Sequence, residues 1–188
     1  MSILITGGAG YIGTHTLVEL SNANHDFIVY DNLSNSSSES LKRVEKIIGK
    51  SIAFIDGDIR DKQKLQETFR NYTIDSVIHF AGLKAVGESV EQPLRYYDNN
   101  VVGTLRLLEV MSEFECKKIV FSSSATVYDE VDASNYTPLS ETNPRGKTTN
   151  PYGTSKYMIE RILEDLYTAD NTFKIAILRY FNPVGAHE

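Results

Sequence analysis

Six short apolar runs recur along the chain, each followed by a longer stretch of mixed polarity. This alternation restricts the fold more than any other feature. The runs occupy residues 3–5, 27–30, 52–55, 77–80, 118–121 and 175–178. They are almost continuously apolar, the pattern of strands buried on both faces, and do not alternate as half-exposed strands do. Helical patterns separate them at 11–22, 41–48, 61–71, 94–114 and 152–167. Leu41, Val44, Ile47 and Ile48 share one side of the second, and Leu65 and Phe69 anchor the third. Parallel strands need crossovers of a dozen or more residues, and these spacings supply them. The expected fold is α/β, a doubly wound parallel sheet flanked by helices. The polar residues 34–38 predict a loop. Residues 129–150, turn-rich with Pro138 and Pro144, predict a long excursion from the sheet.

The 188 residues suffice for about one domain with a real core. No apolar run reaches the length of a membrane span, so no membrane partner is expected. The first residues lack the basic and apolar regions of a secretory signal. Cys116 stands alone, which excludes an internal disulfide or a zinc cluster and fits a cytoplasmic setting. His15, His25, His79 and His187 are scattered, so no metal is expected. A net charge of −6 and a pI near 5.3 lack the basic footprint of a nucleic-acid partner.

The chemistry begins at Gly7-Gly8-Ala9-Gly10-Tyr11-Ile12-Gly13, directly after the first strand. Gly7, Gly10 and Gly13 allow a tight turn, close approach to a pyrophosphate, and close helix packing. The helix that follows aims its free N–H groups and positive end at an anion. This strand–loop–helix context makes the expected fold a Rossmann-type sheet. Asp31 ends the second strand and is placed to accept from adenosine ribose hydroxyls. It would repel a 2′-phosphate, which favours NAD over NADP. Asp58 follows the third strand and either borders the adenine or caps the next helix. Tyr152 and Lys156 lie four apart on one helix face. An ammonium beside a phenol lowers its pKa, which would fit Tyr152 for proton transfer near neutrality. Ser122, Ser123 and Ser124 end the fifth strand, on the side where ligands of open α/β sheets bind.

These blocks resemble the extended short-chain dehydrogenase/reductase family. The resemblance spans essentially the whole chain. Thr6 to Gly13, Asp31-Asn32-Leu33, Gly57-Asp58-Ile59-Arg60, His79 to Ser89, Tyr96 to Val101, Ser122 to Tyr128, Asn150 to Lys156 and Leu178 to Ala186 carry it. The block from Ala81 to Ser89 and Ser124-Ala125-Thr126 are most similar to the branch that interconverts UDP-glucose and UDP-galactose. Dehydratases of the family usually carry Thr-Asp-Glu at the latter position. The resemblance implies that Tyr152 takes the proton of the sugar 4-hydroxyl, assisted by Ser124, while Lys156 holds the nicotinamide ribose. It implies an NAD site lined by Tyr11, Ile12, Asp31, Asn32, Asn35, Ser36, Asp58, Ile59, Phe80, Ala81, Gly82, Lys84, Asn99 and Ser122, with Tyr152 and Lys156 also at the cofactor. Tyr180, Phe181 and Pro183 would border the nicotinamide. Asn182, with Lys84 and Phe181, would reach the sugar nucleotide. Phe80 and Ile59 also suit a core, and Lys84 a solvated surface.

The resemblance further implies a homodimer paired through helices 94–114 and 152–167, with Leu94, Val101, Leu105, Leu108 and Met111 as apolar positions. Two departures stand out. Asp129 occupies a position where the family usually has glycine. The family also continues beyond Gly185-Ala186-His187 into a smaller lobe that grips the uridine diphosphate. Residues 1–188 are therefore expected to form the NAD-binding domain alone, with its own activity in doubt. A different nucleotide-sugar epimerase and a non-catalytic NAD-binding module are the alternatives.

Overall fold

The structure is a computed structural model that describes residues 1–129 and 138–187. The strands β1 (Ser2–Thr6), β2 (Phe27–Asp31), β3 (Ala53–Asp56), β4 (Ile74–His79), β5 (Lys118–Ser124) and β6 (Lys174–Tyr180) form one parallel sheet in the order β3-β2-β1-β4-β5-β6. The helices are α1 (Tyr11–Asn22), α2 (Ser38–Ile48), α3 (Lys62–Asn71), α4 (Val86–Glu91), α5 (Pro93–Tyr96), α6 (Gly103–Glu113) and α7 (Pro151–Ala169). The Rossmann-type expectation holds, and the strand order reverses between the central pair β1 and β4.

Two cores explain the unbroken apolar runs. Ile5 and Val29 pack with Leu17, Val18, Leu41 and Val44 of α1 and α2. Leu4, Ile28, Val77, Ile119 and Phe121 pack on the other face with Leu65 and Phe69 of α3, Leu107 and Met111 of α6, and Ile159 and Leu163 of α7. Adjacent strand residues thus enter opposite cores, so neither can be polar. Ser37, Asp61 and Asn150 cap α2, α3 and α7 with side-chain oxygens that accept from backbone N–H groups.

Two elements differ from expectation. β6 runs past its apolar segment to Tyr180, because its ladder with β5 continues through Ser122↔Leu178, Ser123↔Arg179 and Ser124↔Tyr180. The helix expected over 94–114 is α5, a π-helical turn (Tyr97–Val102) and α6 in succession, and α4 precedes it. Its five apolar positions divide. Val101, Leu108 and Met111 enter the chain's own core, whereas Leu94 is 81% exposed and Leu105 37%.

Residues 130–137 of the expected excursion lie outside the described residues. The returning segment closes beside its point of departure. Tyr128 and Arg145 form an antiparallel bridge, and Gly146 N donates to the Val127 carbonyl at 3.0 Å. Asp129 accepts from Lys147 N at 2.7 Å, which gives its carboxylate a structural role in this loop.

Candidate active site

A cleft of about 520 Å³ opens at the carboxyl ends of the strands, over the point where the strand order reverses. Ligands of open α/β sheets lodge at such a point. Gly7 leaves β1 with φ +70°, and a Cβ there would stand 2.5 Å from Ala81 N. A Cβ on Gly13 would meet the Gly7 carbonyl at 2.6 Å. Only glycine allows both approaches, so the loop is welded between β1, β4 and α1. At Gly10 a Cβ would touch only the Gly7 carbonyl, at 3.3 Å, and no side chain caps α1. The first N–H groups of α1 therefore face the cleft, as a pyrophosphate cradle requires.

Asp31 lies beside this loop, almost fully buried. One carboxylate oxygen accepts from Ala9 N at 3.0 Å, the other from Leu33 N and Ser36 Oγ at 2.9 Å each. Its charge is thereby held at the cleft wall, together with Asn32 and Asn35. Ser36 is not in the wall itself and acts on the cleft through Asp31. Asp58 is also set back, behind Asn32, whose amide it accepts from at 3.1 Å. Hydrogen bonds from Arg60, foremost, lower Asp58 to about 2. It does not cap α3, which Asp61 does. Gly57 and Ile59 do line the cleft, as does Tyr30, which the sequence did not reveal.

At the other end stand Ser124, Tyr152 and Lys156. Ser124 Oγ accepts from Thr126 N at 3.2 Å and Thr126 Oγ1 at 3.0 Å. With both acceptor sites engaged, what Ser124 has left to offer the cleft is its own proton. Burial raises the Tyr152 pKa, and the Ser124 hydrogen bond offsets part of that rise. Lys156 Nζ donates to the Ser122 carbonyl at 2.7 Å and lies 4.8 Å over the Phe121 ring. Burial lowers it to about 8. The Lys156 ammonium serves a backbone carbonyl, and the Ser124 hydroxyl is the neighbour that draws the phenol down.

Phe80, Ala81, Gly82, Lys84 and Asn99 line the cleft, as do Tyr180, Phe181, Asn182 and Pro183. Ile59 is also a core residue, while Lys84 is exposed at the edge. Asn100, absent from the expected set, clamps the cleft lining at Leu83 to α7. It accepts from Leu83 N at 2.8 Å and donates to the Leu83 carbonyl and to Ser155 Oγ. Buried His79 is joined to Thr6 at 2.6 Å and Thr104 at 2.9 Å. Thr104 donates its proton to the Asn100 carbonyl, so His79 Nε2 is the donor to Thr104 and Nδ1 the acceptor from Thr6. Neither residue belongs to a spacing pattern that marks a site. Among the described residues, no three His, Cys, Asp or Glu side chains converge as metal ligands.

The model of the NAD dependent epimerase/dehydratase family matches residues 3–188. The chain belongs to that family. It is similar to the UDP-glucose 4-epimerase of Bacillus subtilis, 56% identical over 187 residues, with 100% of this chain and 54% of that protein covered. A crystal structure of UDP-glucose 4-epimerase from Bifidobacterium longum in complex with NAD+ and UDP superposes with a TM-score of 0.95 at 54% identity, over 100% of this chain and 55% of that one. The Stenotrophomonas maltophila UDP-glucose 4-epimerase, with bound NAD and formylated UDP-arabinopyranose, gives a TM-score of 0.94 at 43% identity, over 100% and 55%. This member of the NAD dependent epimerase/dehydratase family thus spans about half the length of the relatives it matches.

Proposed function

We propose that the cleft holds NAD and serves the 4-epimerisation of a UDP-hexose, interconverting UDP-glucose and UDP-galactose. The observation that carries the reading is the Ser124–Tyr152 pair, oriented by Thr126 at the end of β5. The bare loop at Gly10, the unfilled N–H groups of α1 and the fixed charge of Asp31 support NAD as the occupant. NAD, when bound, supplies the hydride acceptor and donor of the reaction. Tyr152 takes the proton of the sugar 4-hydroxyl as that carbon becomes a carbonyl, and returns it once the ring presents its opposite face. Ser124 assists by donating its one proton to the phenol oxygen, which favours the phenolate. Lys156 and Ser122 hold the nicotinamide ribose, while Asn182, Phe181 and Lys84 meet the sugar nucleotide.

Tyr152→Phe tests the assignment. Conversion of UDP-galactose is expected to fall by roughly 10²–10⁴-fold, the usual worth of a positioned proton carrier, with NAD retention unchanged. Unaltered rates would remove Tyr152 from the reaction. One observation favours the NAD-binding module as a second reading: Phe181, at the sugar side, is 63% exposed. An unaltered chain that retains NAD through gel filtration yet converts no UDP-galactose would decide for it. We carry the cytoplasmic setting and the homodimer in the same proposal, the latter on the outward Val90, Leu94, Leu105 and Met158.

A further inference from the structure

Behind the cleft, one fully buried carboxylate gathers four donors from three directions. Glu160 Oε1 accepts from Ser123 Oγ at 2.5 Å and from Arg179 Nε at 3.0 Å. Its Oε2 accepts from Arg179 Nη2 at 3.0 Å and from Arg145 Nη1. These contacts fill the four lone-pair sites of a carboxylate. Ser123 is the β5 residue next to Ser124, and Arg179 the β6 residue next to Tyr180. Arg145 belongs to the segment that returns beside Tyr128, and its other nitrogen reaches Glu164. Arg179 also donates to Tyr128 Oη at 3.0 Å and lies 4.9 Å over its ring.

Glu160 follows Lys156 by four residues and Tyr152 by eight, so the three share one face of α7. A helix docked by apolar packing alone can slide or roll, since such contacts have little direction. Hydrogen bonds to a buried charge are short and directional, and they fix both motions.

We propose that Glu160 is a positioning residue that pins α7 to the ends of β5 and β6, and so sets the reach of Tyr152 to Ser124. The inference rests on the proposed 4-epimerisation for its catalytic meaning. Burial alone would raise the Glu160 pKa, but the bonds from Arg179, Ser123 and Arg145 outweigh it and keep the group ionised. The carboxylate therefore holds all its donors at neutral pH.

Ser123→Ala is the principal test, because it cuts the link to β5 and leaves all three charges paired. Glu160→Gln is the second variant. Amide hydrogen exchange over residues 122–126 and 150–156 is expected to rise roughly tenfold or more in Ser123→Ala, the worth of one hydrogen bond to a charged group. Exchange in α1 and α2, on the far face of the sheet, should stay as it was. Unchanged exchange at 122–126 and 150–156, or an equal rise throughout, overturns the pin. In turnover per NAD-loaded site, kcat should fall roughly 10- to 100-fold, with KM within about threefold. A kcat equal to that of the unaltered chain, or a loss confined to KM, also overturns it. Exchange needs no substrate, so it judges the pin apart from the reaction. An unaltered chain without turnover, or Tyr152→Phe as fast as the unaltered chain, speaks against the proposed function and leaves the exchange result to decide the pin.

Discussion

Lys156 and His79 are two basic groups buried within the same wall, and both have their charged forms penalised. Lys156 has its pKa at about 8 in the folded chain, because burial disfavours the ammonium, against about 10.5 when unfolded. Between those values the unfolded chain binds more protons, so stability climbs with pH across that window, and the penalty is fully present below pH 8. Lys156→Met should therefore gain about 1–2 kcal/mol at pH 7, after subtracting the bond lost to the Ser122 carbonyl. The gain should shrink toward pH 10. Equal urea midpoints at pH 7 would contradict this, and NAD retention should weaken in the same variant. His79 has its pKa at about 3, first through burial and then through the Lys156 charge. Only the unfolded chain takes up this proton between about pH 6.5 and 3, so stability drops as pH falls through that range. Urea midpoints measured between pH 6 and 4 should fall less steeply in His79→Asn; parallel curves would remove His79 as a cause.

At the scale of elements, α7 and the glycine loop carry the cleft, and each has a sharp test. Asn150 Oδ1 accepts from Gly153 N at 2.8 Å, so Asn150→Ala should cost about 1 kcal/mol in chemical denaturation. Gly7→Ala combines a positive φ with a Cβ driven into Ala81 N. It should abolish NAD retention, and a variant that retains NAD through gel filtration would refute the weld between β1 and β4. The glycine loop, Asp31, Ser124, Tyr152 and Lys156 were legible in the sequence because their chemistry depends on residue type at fixed spacing, and each of these lines the cleft. The supporting residues were not. Asn100 works from a π-helical turn, where one extra residue breaks the helical periodicity that would have given its direction. Glu160 looks like any helix-face acid until Arg145 and Arg179, distant in sequence, fold onto it. The end of β6 was missed for a related reason: backbone pairing continues through Arg179 and Tyr180 after the apolar run stops. Asp58 and Asp61 both suit a helix start, and only geometry shows that Asp61 supplies the cap.

For the whole molecule, the exposed apolar residues Val90, Leu94, Leu105 and Met158 are the proposed subunit contact. Leu94→Asp should shift sedimentation toward the monomer, and an unaltered chain that is monomeric at about tens of micromolar would set the dimer aside. The placement of β1 also has a bearing on synthesis. It is the central strand yet the first to be made, and β2 reaches one of its edges soon afterwards. Its other edge has no mate until β4 arrives, and the Thr6–His79 bond spans 73 residues of chain. At a translation speed of roughly 5–20 residues per second, that edge waits about 4–15 s. During this interval the nascent chain exposes an unpaired strand rich in isoleucine and leucine, open to pairing with a neighbouring chain on the same messenger. The layout that centres the sheet on β1 thus leaves the growing chain most open to wrong pairing before β4 is made.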